Sequence, residues 1–226
     1  MGAVRPLQST LVSKEKNELR PQVNRAHYLK GYDTKQRFAS YWHQINEMLE
    51  LAPDNTLEIG IGNSFVSDYL RKIKFNIITL DLDERLLPDV AASVTYIPFK
   101  NESFDLVVCC EVLEHIPFQF FHKALSEIRR VTRNYTIISL PDCSRVYRIQ
   151  IQIPKYGEIK KLIELPRLKI PKHKFDGEHY WEIGKYEYPL QKITDIITKT
   201  RYCIKKCYRV FEIPYHRFFI LIKEVS

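Results

Sequence analysis

The chain holds 226 residues, 45% hydrophobic and 27% charged, which are values of a core-forming globular chain rather than a disordered one. Its formal net charge of +8 is unevenly placed: residues 31–144 carry 11 basic and 16 acidic side chains, whereas residues 145–226 carry 18 and 9. No apolar stretch is long enough for a membrane span, Met1 to His27 lacks the core of a secretory leader, and the five cysteines show no C-x-x-C spacing, so a cytoplasmic protein with reduced thiols is expected.

The first thirty residues lack periodic apolar spacing and are expected to form a mobile arm, with residues 31–226 as one domain. Asp33 to Leu51 predicts an amphipathic helix, with Phe38, Tyr41, Trp42, Ile45, Met48 and Leu49 on one face. Pro53-Asp54-Asn55 ends it, and Thr56 to Gly60 is a short strand running into a glycine turn. Ser64 is placed to cap a helix reaching about Lys74, with Phe65, Val66, Tyr69, Leu70 and Ile73 inside. Asn76 to Leu82 predicts a strand, and the near-continuous apolar run Phe104 to Cys110 predicts another, buried on both faces. A helix over Phe118–Val131 and a strand over Tyr135–Leu140 follow.

Strands alternating with helices in this way predict a parallel, doubly wound sheet, with the loops of interest at the carboxyl ends of its strands. After Pro141 the rhythm breaks. Residues 142–188 hold Pro154, Pro166 and Pro171 among basic stretches and read as an insertion over that edge. A helix over Leu190–Lys199 and two closing antiparallel strands, Tyr202–Phe211 and Tyr215–Lys223, complete the chain.

The glycine turn carries the chemistry. Gly60 and Gly62 permit positive φ and a close approach of backbone to a ligand, and the helix that follows offers free N–H groups to the same space. Glu58 lies two residues before Gly60, and Asp81 lies at the distance where a ribose-diol acceptor is needed. A dinucleotide fingerprint would want a third glycine where this chain has Phe65, which argues against a pyrophosphate.

With these pieces in order, the chain resembles a class I S-adenosylmethionine-dependent methyltransferase of the small-molecule type. The matching segments are Leu57-Glu58-Ile59-Gly60-Ile61-Gly62, Thr79-Leu80-Asp81-Leu82-Asp83, Ile97-Pro98-Phe99, Ser103-Phe104-Asp105-Leu106-Val107 and Glu111-Val112-Leu113-Glu114-His115-Ile116-Pro117. The resemblance implies a Rossmann-like α/β fold: a mostly parallel seven-stranded sheet with an antiparallel final strand, plus the insertion after the fifth strand. It implies S-adenosylmethionine as cofactor and S-adenosylhomocysteine as product. Glu58, Gly60 and Gly62, with Asn63 in the same turn, would border the methionyl part. Asp81 would accept the ribose hydroxyls, and Leu82 would pack on the adenine. Ser93, where the family often has an acid, and Val94 would meet the adenine amino group, while Cys110 and Glu111 would flank the sulfonium.

For the acceptor, the candidate bases are His115 after the fourth strand of the sheet, Asp142 after the fifth, and His179 in the cluster Glu178-His179-Tyr180-Trp181-Glu182. Tyr28 and Tyr32 are candidate lid residues, and Trp42 reads better as packing. His179 and Glu182 alone are too few ligands for a metal, so none is expected. No Asn-Pro-Pro-Tyr or Asp-Pro-Pro-Tyr motif marks amino methylation of a base, and Pro141-Asp142-Cys143 is not a cytosine C5 nucleophile arrangement. The expected reaction is methylation of a hydroxyl or amine on a small molecule, sugar, other glycan or lipid-linked intermediate, with residues 142–188 as acceptor lid. The alternative is a non-catalytic protein of the same fold, or an RNA methyltransferase, docking on nucleic acid or another anionic partner through the basic C-terminal third.

Overall fold

The computed structural model describes residues 21, 23, 25–28 and 31–224. Its main sheet is built from β1 (Thr56–Ile59), β2 (Ile77–Asp81), β3 (Val90–Ala91), β4 (Phe104–Cys110) and β5 (Thr132–Pro141). A separate hairpin, β6 (Val146–Ile153) and β7 (Gly157–Glu164), interrupts the series, and β8 (Tyr202–Arg209) and β9 (His216–Lys223) complete the sheet. The order across it is β3-β2-β1-β4-β5-β9-β8. Strands β1 to β5 pair in parallel, and β9 runs antiparallel to both β5 and β8. This is the expected α/β fold. The two-residue β3 was too short to leave a periodic signal and was not among the expected strands.

Side chains alternate between the two faces of the sheet, and each face takes its own pair of helices. Leu106, Val108, Phe218 and Ile220 pack with Tyr41 and Met48 of α1 (Lys35–Leu51) and with Val66 and Leu70 of α2 (Phe65–Lys72). On the opposite face Val107, Cys109, Phe219 and Leu221 pack with α3 (Phe121–Val131) and α4 (Leu190–Lys199). Burial of the aliphatic and aromatic side chains on each face drives this layering. Among the described residues no helix is long and apolar enough to cross a membrane.

Local capping departs from the expected pattern at two places. Thr34 caps α1 by accepting from the Arg37 N–H at 3.2 Å, so the helix begins at Lys35. Ser64 sits left-handed at φ 62° and makes no side-chain cap; the Asn63 Oδ1 accepts the Phe65 N–H instead, at 3.1 Å. Helix α2 ends at Lys72, leaving Tyr69 and Ile73 exposed rather than inside. Trp42 also points outward, at 59% exposure, so neither packing nor a lid role describes it.

The arm expected over residues 1–30 lies mostly outside the described residues. In its described part Arg25–Tyr28 form a 3-10 turn, and Tyr28 stands 3.7 Å from where a Cβ on Gly62 would lie. The insertion over 142–188 has two parts. The hairpin projects outward, while Trp181 is fully buried and donates from Nε1 to the carbonyls of Leu113 and Ile116 at 3.1 and 3.2 Å. That anchor holds the second half of the insertion against the turn that follows β4.

Candidate active site

The direction of the crossovers reverses at β1, which has β2 on one side and β4 on the other. In open α/β sheets a crevice forms at the carboxyl ends of strands at such a switch point. Here that place holds a cavity of about 310 Å³.

One wall is the glycine turn. Gly60, at φ +82°, is confined by the loop after β4: a Cβ there would lie 2.1 Å from Val112 Cγ2. Gly62 is left-handed too, at φ +52°. Glu58 faces the cavity from β1, and its Oε2 is buried with no hydrogen-bond partner among the described residues. Burial raises its carboxyl to about 8. Asp81, at the end of β2, accepts the Ile61 N–H on Oδ2 at 2.9 Å and the Asp83 N–H on Oδ1 at 2.8 Å. Burial raises it against those bonds. Each carboxylate oxygen has a second lone pair, so Asp81 braces the turn and still faces the cavity as an acceptor.

Leu82, Ser93 and Val94 line the same end. The Ser93 hydroxyl is turned toward Thr95, 2.9 Å from its Oγ1, so the serine is tied into its own loop. Cys110 and Glu111 line the cavity at the end of β4. Burial pushes the Cys110 thiol up, which makes it a poor nucleophile. Glu111 adopts φ 53°, and its Oε1 accepts the Ser139 hydroxyl at 2.7 Å.

The opposite wall gathers residues from distant parts of the chain. His115, on a 3-10 turn after β4, has Nδ1 3.0 Å from the Glu178 carbonyl, and its ring meets His179 edge-on at 4.9 Å. His179 Nδ1 lies 3.1 Å from Glu182 Oε1, and the Tyr215 hydroxyl also donates to that oxygen. Burial disfavours charge on both rings. For His115 it prevails and lowers the imidazole below its ordinary value. For His179 the bond and charge of Glu182 outweigh it, and the ring is raised. Glu182 remains ionised despite burial because His179, Cys143, Tyr215 and Lys185 all contact it.

Asp142 is not part of this wall. It is buried at the base of the insertion, where Oδ2 accepts Arg217 Nε at 2.6 Å and Oδ1 accepts the Ser144 N–H at 2.8 Å. The carboxylate holds an ion pair instead of facing the cavity, which corrects its reading as a candidate base.

Both expected lid residues, Tyr28 and Tyr32, line this cavity. Tyr32, held by Arg37 Nη1 at 2.9 Å, packs edge-to-face on Tyr28 with ring centroids 5.0 Å apart. Gln44, Tyr215 and His216 also line the cavity. Glu114 is fully buried there, and neither carboxylate oxygen makes a hydrogen bond among the described residues. Its ligand atom, with those of His115 and His179, falls within a 4.8 Å cluster, and Asp176 forms a second such group with His179 and Glu182. Both groupings include His179, and they bring in Glu114, His115 and Asp176, which the local spacing of His179 and Glu182 did not show.

Residues 57–139 match the family model described as a methyltransferase domain. Over 85 residues the chain is 38% identical to an uncharacterized protein of Methanocaldococcus jannaschii, a match covering 34% of this chain and 36% of that relative's length. The chain is also similar in structure to the 1,6-didemethyltoxoflavin-N1-methyltransferase of Burkholderia thailandensis, solved with 1,6-didemethyltoxoflavin and S-adenosylhomocysteine. There the TM-score is 0.58 at 13% identity, covering 88% of this chain and 85% of that one. An S-adenosylmethionine-dependent methyltransferase from Clostridium acetobutylicum aligns with a TM-score of 0.56 at 12% identity, covering 88% and 96%. The glycopeptide N-methyltransferase MtfA, complexed with S-adenosylhomocysteine, aligns at 0.56 with 9% identity, covering 90% and 99%. At these identities the structural likeness is one of fold.

Proposed function

We propose that this chain, whose residues 57–139 match a methyltransferase domain, is a class I, S-adenosylmethionine-dependent methyltransferase acting on a hydroxyl or amine of a small molecule, sugar or lipid-linked intermediate. The supporting observation is a single cavity with Glu58, Gly60 and Asp81 on one wall and His115 and His179 on the other.

The residues fit the cofactor. An unpartnered buried acceptor at Glu58 suits an ammonium group, two left-handed glycines leave room for a ligand against the backbone, and Asp81 offers lone pairs to a diol. In this reading Glu58, Gly60, Gly62 and Asn63 border the methionyl portion. Asp81, Leu82, Ser93 and Val94 take the nucleoside, and Cys110 and Glu111 lie near the sulfur. S-adenosylmethionine, when bound, supplies a methyl carbon already activated by a sulfonium.

The chain's own task is to orient the acceptor and take its proton. His179 is the favoured base. A Glu182 that accepts from Nδ1–H fixes the tautomer and leaves Nε2 able to receive a proton, as an orienting carboxylate does for other catalytic imidazoles. His115 is a second contact to the acceptor, with its ring set by the Glu178 carbonyl.

Calorimetric titration with S-adenosylhomocysteine tests the reading. Binding in the micromolar range is expected, weakened about a hundredfold in Asp81→Ala and less in Asp81→Asn, which retains acceptor capacity on one atom. Absence of binding to both S-adenosylmethionine and S-adenosylhomocysteine by the folded protein would sink it.

A further inference from the structure

The β6–β7 hairpin stands away from the body of the protein, and every residue from 147 to 161 is exposed. Its two faces differ. The register places Tyr147 opposite Ile163, Ile149 opposite Lys161 and Ile151 opposite Ile159, with Ile153 beside the turn. Residues directly opposite share a face, so one side of the ribbon is an aliphatic stripe. The other side bears Arg148, Lys160 and Glu164, which tie the hairpin to the body through the Glu212 carbonyl, the Glu212 carboxylate and Arg217. The stripe therefore faces away from the anchoring contacts. A lone two-stranded ribbon is marginal in water, and an open apolar face on one is a place for a partner.

Charge selects among partners. Residues 145–174 hold nine basic and two acidic side chains, nearly the whole excess of the chain. A second copy laid on the stripe would bring two such cationic segments together. Residues 1–20, with four basic and two acidic side chains, are also net positive. A nucleic acid would use the charge, but of the stripe only Tyr147 offers an aromatic face to its bases, and Ile149, Ile151, Ile153 and Ile159 offer none. An anionic bilayer uses both features: isoleucines enter the acyl boundary, and lysines and arginines stay at the headgroups. Tyr156, 88% exposed at the tip beside Lys155, has the amphipathic character of an interfacial anchor.

We propose that the aliphatic face of the β6–β7 hairpin, rimmed by the basic residues of segment 145–174, docks this protein on an anionic lipid surface. The hairpin leaves the main sheet at the end of β5, on the side that carries the cavity, so docking brings the acceptor wall toward the lipid phase. Among the acceptor classes proposed above, this favours a lipid-linked one. The docking itself stands without methyl transfer, while the acceptor preference rests on that reading.

The test is co-sedimentation of the full chain with vesicles of phosphatidylcholine alone and of phosphatidylcholine mixed with phosphatidylglycerol. Binding to the mixed vesicles, weakening with salt, and little binding to the neutral ones are expected. The double substitution Ile151→Ser, Ile159→Ser should lower partitioning about tenfold, and Lys155→Glu with Lys161→Glu should lower it at least as much. Circular dichroism and S-adenosylhomocysteine titration of the same variants check folding and the cofactor site, so a failed methyltransferase reading is told apart from failed docking. No binding to anionic vesicles, or binding indifferent to the isoleucine pair in a folded variant, overturns the proposal. So does a dimer in sedimentation equilibrium that the isoleucine pair dissolves, or RNA binding that this pair abolishes.

Discussion

Gly60 and Val112 share one volume: a methyl group added to the glycine would lie 2.1 Å from Val112 Cγ2. The contact joins the turn after β1 to the turn after β4, the two loops that frame the cavity. Gly60→Ala adds this overlap to an unfavourable φ of +82°, and a cost of about 2–4 kcal/mol is expected from urea denaturation. Val112→Ala in the same chain should return the part due to overlap and leave the part due to φ. Gly157→Ala, at φ +101° with nothing within 4 Å, should show the backbone cost alone.

Asp142 predicts a loss of stability in acid. Burial favours its neutral form, but the charges of Arg217 and Arg209 and the Ser144 N–H outweigh that, so its carboxyl lies below the ordinary value in the fold. A depressed carboxylate stabilises the fold above its unfolded value near 4, and the contribution disappears as pH falls through the folded value. Asp142→Asn leaves Arg217 buried with a weakened partner and should cost about 3 kcal/mol at neutral pH. The gap between wild type and variant, measured by urea melts from pH 7 downward, should close only below about pH 4.

Glu58 carries the opposite sign. Burial raises its carboxyl to about 8, so its contribution is fully present below the unfolded value near 4.3 and is lost as pH rises toward 8. Glu58→Gln abolishes this slope: its stability curve should be flatter than that of wild type between about pH 5 and 8. The same substitution should weaken S-adenosylhomocysteine by about tenfold, because the carboxylate that balances an ammonium is gone. A wild-type curve already flat over that interval would contradict the burial argument.

Much of the sheet was legible because its strands are buried on both faces and read as unbroken apolar runs, as in Leu106 to Cys110. The helices α3 and α4 were equally plain, since Ile193 and Ile197 recur at helical spacing. Asp142 shows where that legibility stops. An acid at the end of β5 reads as ligand-facing, and its true partners, Arg209 and Arg217, lie on β8 and β9 some seventy residues away. Local pattern holds no trace of such a pairing. Trp42 failed differently: its spacing fits the inner face of α1, but Tyr41, Gln44 and Met48 set the buried stripe and leave Trp42 outside. In the cavity, the glycine turn and Asp81 were visible as a contiguous motif. Gln44, Glu114 and Tyr215 were not, since only folding brings α1, the loop after β4 and the residue before β9 together.

His179 is the residue whose role depends most on a neighbour. Burial alone would lower its imidazole, as it does for His115, and the Glu182 bond reverses the sign. Glu182→Gln should therefore move the His179 titration, followed by carbon-13 NMR of the labelled ring, from above the ordinary value near 6.5 to below it. Because the raised value belongs to the protonated ring, wild-type base activity should appear at higher pH than in the variant. His179→Ala should leave S-adenosylhomocysteine binding within about twofold of wild type while lowering turnover on an identified hydroxyl acceptor by at least about a hundredfold. A titration that stays in place in Glu182→Gln would show that the 3.1 Å contact does not set the charge of the ring, and with it would fall the assignment of Glu182 as the group that orients the base.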